Sequence, residues 1–345
     1  MRIDPNITGN KNAGLFCLPF NEEDSSLVFI PVPWEVTVSL GEGCSRGPEA
    51  IRHASQHMDI YDAFYGNFYK RGLYLQDISS EILSRSELLK QKALSLRAKM
   101  QTGQSLSLVE LEIQSMINEE SLRVNRWVYE QAQRLIKHNK FAAVIGGDHS
   151  SPFGLVHALS EHYPDLSILH IDAHMDLRDS FQGYQHSHGS IMFNIMKALN
   201  IKSLVQVGIR DFCQEEKDLS NRSDRIHTFY DAQISLRMAL GENWGQIIRE
   251  ILERLTDNVY ISFDIDGLMP SLCPNTGTPV PGGLSFSQIE TLLYLLTLSS
   301  KKIVGFDLCE VAPQTDSQVP CMNAHIGARI LFKMAGALLA TQSPG

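Results

Sequence analysis

The sequence lacks several features that mark common protein classes. Its six cysteines, Cys17, Cys44, Cys213, Cys273, Cys309 and Cys321, never fall at C-x-x-C spacing. That argues against a zinc ribbon and against a disulfide framework, so they are expected to be reduced thiols in a cytoplasmic protein, with Cys44, Cys273 and Cys309 packed inside. No run approaches the roughly 18 apolar residues of a membrane span, and the opening MRIDPNITGN has no apolar signal-peptide core. Neither secretion nor membrane insertion is expected. Lysine and arginine total 30 against 39 acidic residues, a net charge of −9. The basic residues form no cluster, so the surface that nucleic acids or anionic membranes require is missing. A small cationic substrate suits this balance better. Low-complexity tracts, internal repeats and long linkers are also absent.

What is present is a β/α alternation over 345 residues, with enough apolar content (43%) for a large core. Strands are predicted at 27–32, 141–145, 166–171, 203–207, 259–263 and 303–308. Helices are predicted between them, one beginning near Pro48 and one after Ser287, whose spacing to Glu290 reads as a capping box. Near-continuous apolar strands separated by helices predict an α/β fold: three layers, α/β/α, around a central, mostly parallel sheet in one domain over residues 1–345. The polar stretch at about 81–140 reads as a solvated helical insertion broken at Thr102–Ser105, or alternatively as a subunit contact.

Three predicted strands run into the same chemistry. GGDHS (146–150) follows the second, DAHMD (172–176) the third, and DID (264–266) the fifth. Ligands of open parallel sheets bind beyond the carboxyl ends of the strands. One D-x-D is more often a cap or turn, and one buried histidine is usually a core residue; three such clusters together point to a site. Two imidazoles, His149 and His174, and four carboxylates, Asp172, Asp176, Asp264 and Asp266, exceed the three protein ligands typical of one catalytic zinc. They suit two metal ions sharing bridging carboxylates. Alternate residues of an extended chain face one side, so Asp172, His174 and Asp176 are expected to converge, and likewise Asp264 with Asp266. An oxygen-rich shell with two imidazoles favours Mn²⁺, with Ni²⁺, Co²⁺ or Fe²⁺ as alternatives.

GGDHS, DAHMD and SFDIDGLMPSLCPNTGTPVPGGLS (262–285) resemble the three signature blocks of the ureohydrolase family, which includes arginase, agmatinase and formimidoylglutamase. GCSRGPEAIR (43–52) and GFDLCEVAP (305–313) extend the resemblance over most of the chain. The resemblance implies an arginase-like fold with its metal site at the carboxyl ends of the strands. It also implies a homo-oligomer, a trimer or hexamer. His149 and Asp176 would hold one ion, His174 and Asp266 the other, with Asp172 and Asp264 bridging and Asp148 orienting a ligand. His188, rather than its neighbour His186, would shuttle protons, Glu310 would hold the guanidinium, and Asp176 would relay a proton to the leaving amine.

DLRDSFQGYQHSHGSIM (176–192) looks closest to the agmatinase branch, which makes agmatine, hydrolysed to putrescine and urea, the leading substrate. Arginase, guanidinobutyrase, guanidine hydrolase and formimidoylglutamase activities are the alternatives on the same site. Arg178 and Asp179 would either brace the loop as a pair or set specificity, with Arg178 meeting a substrate carboxylate. Met269 stands where relatives usually carry aspartate, and Trp34 and Glu35 also depart from the agmatinase pattern. Two other classes stay open: a catalytically silent metal-binding interaction protein, and a single-zinc deacetylase-like hydrolase using Asp172, His174 and Asp264.

Overall fold

The computed structural model describes residues 14–313 and 321–342; the MRIDPNITGN opening lies outside them. Its strands are β1 Leu27–Val32, β2 Leu73–Leu75, β3 Phe141–Gly146, β4 Leu166–Ile171, β5 Ser203–Ile209, β6 Ile226–Tyr230, β7 Asn258–Asp264 and β8 Lys302–Cys309. They form one sheet in the order β2-β1-β3-β8-β7-β4-β5-β6, and every pairing is parallel. The helices are α1 Gly47–Ser55, α2 Ser80–Gln101, α3 Leu108–Lys137, α4 Phe153–His162, α5 Ile191–Ala198, α6 Gln214–Arg222, α7 Asp231–Ala239, α8 Trp244–Glu253, α9 Phe286–Thr297 and α10 Met322–Ala340.

Alternation along the strands divides the interior into two cores. Phe29, Ile145, Leu169, Ile261 and Phe306 face one layer, which α1, α8, α9 and α10 complete. Val28, Ile30, Val144, Ile168 and Tyr260 face the other, which α2 to α5 complete. Each fully buried Val, Leu, Ile or Phe contributes about 1.5–3 kcal/mol, and both faces of the sheet are covered this way.

Three expectations need correction. The polar stretch before β3 is helical, but α2 and α3 are not solvated throughout, because Leu89, Ala93, Leu96, Ile117, Val124, Val128, Ala132 and Leu135 belong to the second core. The helix expected after Ser287 begins two residues earlier. Ser285 is its cap, accepting from the Gln288 amide (3.2 Å) while Gln288 reaches back to the Ser285 amide (2.9 Å). Glu290 is thereby free to pair with Lys333 of α10 at 2.6 Å. The sheet also has two strands that were not foreseen, β2 and β6, one at each edge.

The strand order positions the site. β3, β8, β7 and β4 are consecutive neighbours in the middle of the sheet, although they lie far apart in sequence. All run parallel, so their carboxyl ends open on one side, where GGDHS, Glu310, DID and DAHMD meet.

Candidate active site

Seven side chains foreseen from the sequence sit together at those strand ends. His149 follows β3 and is buried; its Nδ1 lies 3.0 Å from Asp172, 3.3 Å from Asp176 and 3.3 Å from Asp264. His174 directs its Nδ1 to Asp172 at 3.4 Å and Asp266 at 3.2 Å. Asp172 therefore stands between the two imidazoles, one carboxylate oxygen toward each. Glu310, just past β8, accepts the His149 amide at 3.0 Å through Oε1.

The convergence is not made by simple extension. Asp176 has φ 54° and Glu310 φ 62°, the left-handed region that non-glycine residues rarely enter. Asp266 lies in a 3₁₀ turn, Ile265–Gly267, rather than in an extended run, and its amide donates to Asp264 at 2.9 Å. Asp148 does not touch a ligand ring. Its Oδ1 accepts from Ser150, and it is Ser262 Oγ (2.9 Å) that contacts Nε2 of His149, with Asp307 behind it at 3.7 Å.

His170 was missed. It is fully buried inside β4, two residues before Asp172, and its Nε2 contacts that carboxylate at 2.8 Å while Gln206 holds the other nitrogen at 3.0 Å. Its parity with 172, 174 and 176 was the available signal. Thr37, Ser39 and Asp211, also missed, carry no sequence pattern of their own.

Charge in the cluster is poorly balanced. Burial, with Asp172 adjacent, pushes Asp176 up to about 6, and burial pushes Asp148 up to about 6 as well. Burial with Asp266 and Asp172 raises Asp264 strongly, and burial with Asp148 raises Glu310 strongly. For Asp172 burial is outweighed by His170 and His149, which hold it well below the usual carboxylate range. At His174 burial opposes the charge, but Asp266 and Asp172 prevail and push it up to about 12. Glu310 Oε2 and Asp148 Oδ2 are buried without a partner. A crowd of buried carboxylates and imidazoles with unsatisfied oxygens fits divalent cations. Among the described residues three groups of donor atoms are close enough to share an ion: His149, His170, Asp172 and Asp176; Asp172, His174 and Asp266; and, on the far side of the His149 ring, His149, Asp307 and Cys309.

Beside the cluster is a cavity of about 150 Å³, lined in part by His174, Asp176, His188, Asp211 and Thr278. His188 has Thr37 Oγ1 at 3.3 Å from Nδ1 and Ser39 Oγ at 3.1 Å from Nε2. Burial, reinforced by the His174 and Arg97 cations, lowers it to about 3, so the ring is neutral. His186 packs instead on Phe153, with ring centroids 6.1 Å apart. Arg178 and Asp179 do not pair with each other: Arg178 lies 3.4 Å from Glu216 and over the Phe181 ring, and Asp179 meets Lys197 at 3.2 Å. Met269 uses only its backbone to hold the loop, donating to Leu284 at 3.0 Å, while Arg210 ties the same loop through the Asp266 and Leu268 carbonyls. The loop stands without an aspartate at 269. Glu35 is buried and accepts from Gly43 and Ser45, and Trp34 is buried beside it in the second core.

All six cysteines are free, and no described helix is long and apolar enough to cross a membrane. Sheet and cluster together define an α/β protein whose site is built to hold metal ions at the ends of central parallel strands. The arginase family matches residues 25–336, and the chain belongs to that family, hydrolases of guanidino C–N bonds that depend on a binuclear metal centre. An N(1)-aminopropylagmatine ureohydrolase of Synechocystis sp. is 31% identical over 91% of this chain and 89% of its own length. One from Thermus thermophilus is 33% identical over 84% of each. In fold the chain is similar to the agmatine ureohydrolase of Thermoplasma volcanium, with TM-score 0.70, 22% identity, and coverage of 93% of this chain and 92% of that one.

Proposed function

We propose that the chain releases urea from an agmatine-type substrate, a guanidinium on an unbranched amine. Agmatine is the shortest member, and N(1)-aminopropylagmatine is the compound two relatives are named for. The observation that carries this reading is the charge at the cavity. Arg178, the cation that would greet a substrate carboxylate, already pairs with Glu216 at 3.4 Å and lies over the Phe181 ring, whereas the Asp211 carboxylate on the same wall is 67% exposed and, among the described residues, pairs only with His174, at 3.8 Å. A cationic tail is favoured there over the carboxylate of an amino acid.

In this reading His149, Asp172, His174, Asp176, Asp264 and Asp266 hold two divalent ions, manganese first among the candidates. When bound, the ions would supply a water acidic enough to react near neutral pH. Glu310 orients the guanidinium through its unpartnered Oε2, a planar cation against a carboxylate. Gly277 leaves the space for it, since a Cβ there would come within 2.9 Å of that oxygen. Asp176 accepts the proton of the attacking water and passes it to the departing amine. His188, held by two hydroxyls at the cavity wall, is our candidate for passing a proton outward, accepting at one ring nitrogen while donating from the other so that the ring is not left charged.

The test is urea release by manganese-reconstituted protein offered agmatine, N(1)-aminopropylagmatine, arginine, guanidinobutyrate and guanidine. Formimidoylglutamate is followed by formamide. Preference for either agmatine-type amine supports the reading; preference for arginine or formimidoylglutamate overturns it.

A further inference from the structure

The buried polar side chains of α2 all reach one loop, and one of them reaches a second as well. Ser86, Lys90 and Arg97 fall on one stripe of the helix, beside the apolar stripe of Leu89, Ala93 and Leu96 that enters the core. Ser86 accepts the Glu35 amide at 2.8 Å, and Lys90 pairs with Glu35 at 3.5 Å and Glu42 at 3.3 Å. Arg97, only 5% exposed, reaches farther. It donates to the carbonyls of Ser39 (2.8 Å), Thr37 (3.2 Å) and Val38, and through Nε to the Gln182 side chain at 2.8 Å. None of these acceptors is a carboxylate. A buried guanidinium costs several kcal/mol unless its donors are satisfied, and here satisfaction comes from backbone carbonyls of one loop and a side chain of another.

Those two loops enclose His188. The first carries Thr37 and Ser39, whose hydroxyls contact both of its ring nitrogens. The second carries Phe181, edge-on to its ring at 5.5 Å. From the other side α3 holds the second loop: Gln114 donates to the Gln182 carbonyl at 3.2 Å, and Asn118 donates to Gly183 at 3.2 Å and accepts from the Gln185 amide at 2.8 Å.

We infer that the α2–α3 hairpin is the device that positions the rim of the active site, with Arg97 as the positioning residue that ties the Thr37–Ser39 loop to the Gln182 loop and so sets the place of His188. The inference rests on hydrolysis occurring at the strand-end cluster, but not on which guanidino compound is hydrolysed. Arg97 touches no predicted metal ligand. Its removal should therefore loosen the rim and leave the metal centre intact.

The test uses the full-length chain with Arg97→Met, Arg97→Lys and the double variant Gln114→Ala, Asn118→Ala. Amide hydrogen exchange of the metal-free protein is read alongside metal content and urea release from whichever substrate the parent turns over. With Arg97→Met, exchange should quicken in residues 36–43 and 181–189 but not in the four central strands. Metal content should hold, and kcat/KM should fall about 10- to 100-fold, the scale of a misplaced group. Arg97→Lys should recover part of that loss. The double variant, on the half-exposed face of α3, should quicken exchange in 181–189 alone. Unchanged exchange in both loops, kcat/KM within twofold of the parent, or metal loss in step with activity would each overturn the inference. If Arg97→Met does not fold, the double variant decides by the same exchange readout, which needs no turnover.

Discussion

Asp176 and Glu310 adopt a backbone conformation that favours glycine, and each carries a carboxylate into the cluster. Such strain persists where surrounding contacts over-determine it. Asp176→Asn should cut kcat by about 10²–10⁴, the usual worth of a positioned acid–base group; an asparagine variant with full turnover and both metals bound would remove the proton-relay role. Gly277→Ala should crowd Glu310 Oε2 and raise KM about tenfold or more at constant metal content, the cost of losing orientation, measured by urea release across substrate concentration. That His149, Asp172, His174, Asp176, Asp264 and Asp266 would gather was legible in sequence because three clusters of carboxylate and imidazole at three strand ends have little structural use together, although each alone could be a cap or a core residue. The turns that aim them were not, since a positive φ at an aspartate or glutamate leaves no compositional trace. Thr37 and Ser39 were invisible for another reason: their role exists only once a loop more than a hundred residues away brings His188 against them.

At the level of elements, helical packing leaves α10 with one expensive charge. Lys333 pairs with Asp62 at 2.8 Å and Glu290 at 2.6 Å, and although burial opposes its charge the two carboxylates outweigh that and raise its pKa. Lys333→Met should destabilise the chain by about 1.5–3 kcal/mol, the range for hydrogen bonds to charged groups, as read by denaturant unfolding. A raised lysine stabilises fully below its unfolded pKa. The difference between parent and variant should hold through neutral pH and shrink as pH rises above about 10.4. The strands that escaped prediction are both edges: β2 has three residues, and β6 is half-exposed for most of its length, so neither shows the continuous apolar run that marks the central strands. The helices α2 and α3 were foreseen as helices but not as core, because their long polar faces masked narrow apolar stripes.

For the molecule as a whole, the metal cluster is a liability until it is filled. Asp148 and Asp176, each raised to about 6, favour the fold below the ordinary carboxylate pKa and cease to do so as pH climbs through about 6. Divalent ions that bind only the folded state add stability by mass action. Removing metal with a chelator should lower Tm, and the drop should be larger at pH 7.5 than at pH 5, with Mn²⁺ restoring it; an equal drop at both pH values would contradict this electrostatic account. The three-layer architecture was legible from the β/α alternation, but strand order was not, because periodicity says nothing about which strand lies beside which.

That order has a consequence for biosynthesis. β8, ending at Cys309, inserts between β3 and β7, so the central sheet has a gap until about nine-tenths of the chain has been made. A nascent chain emerging from the ribosome can pair β3 with β1 and β4 with β7, yet it holds the halves of the cluster apart. The group that needs His149 is thereby deferred to the end of synthesis, whereas Asp172, His174 and Asp266, on the ends of the neighbouring β4 and β7, can meet before it; a product truncated before β8 lacks the strand that joins the two halves.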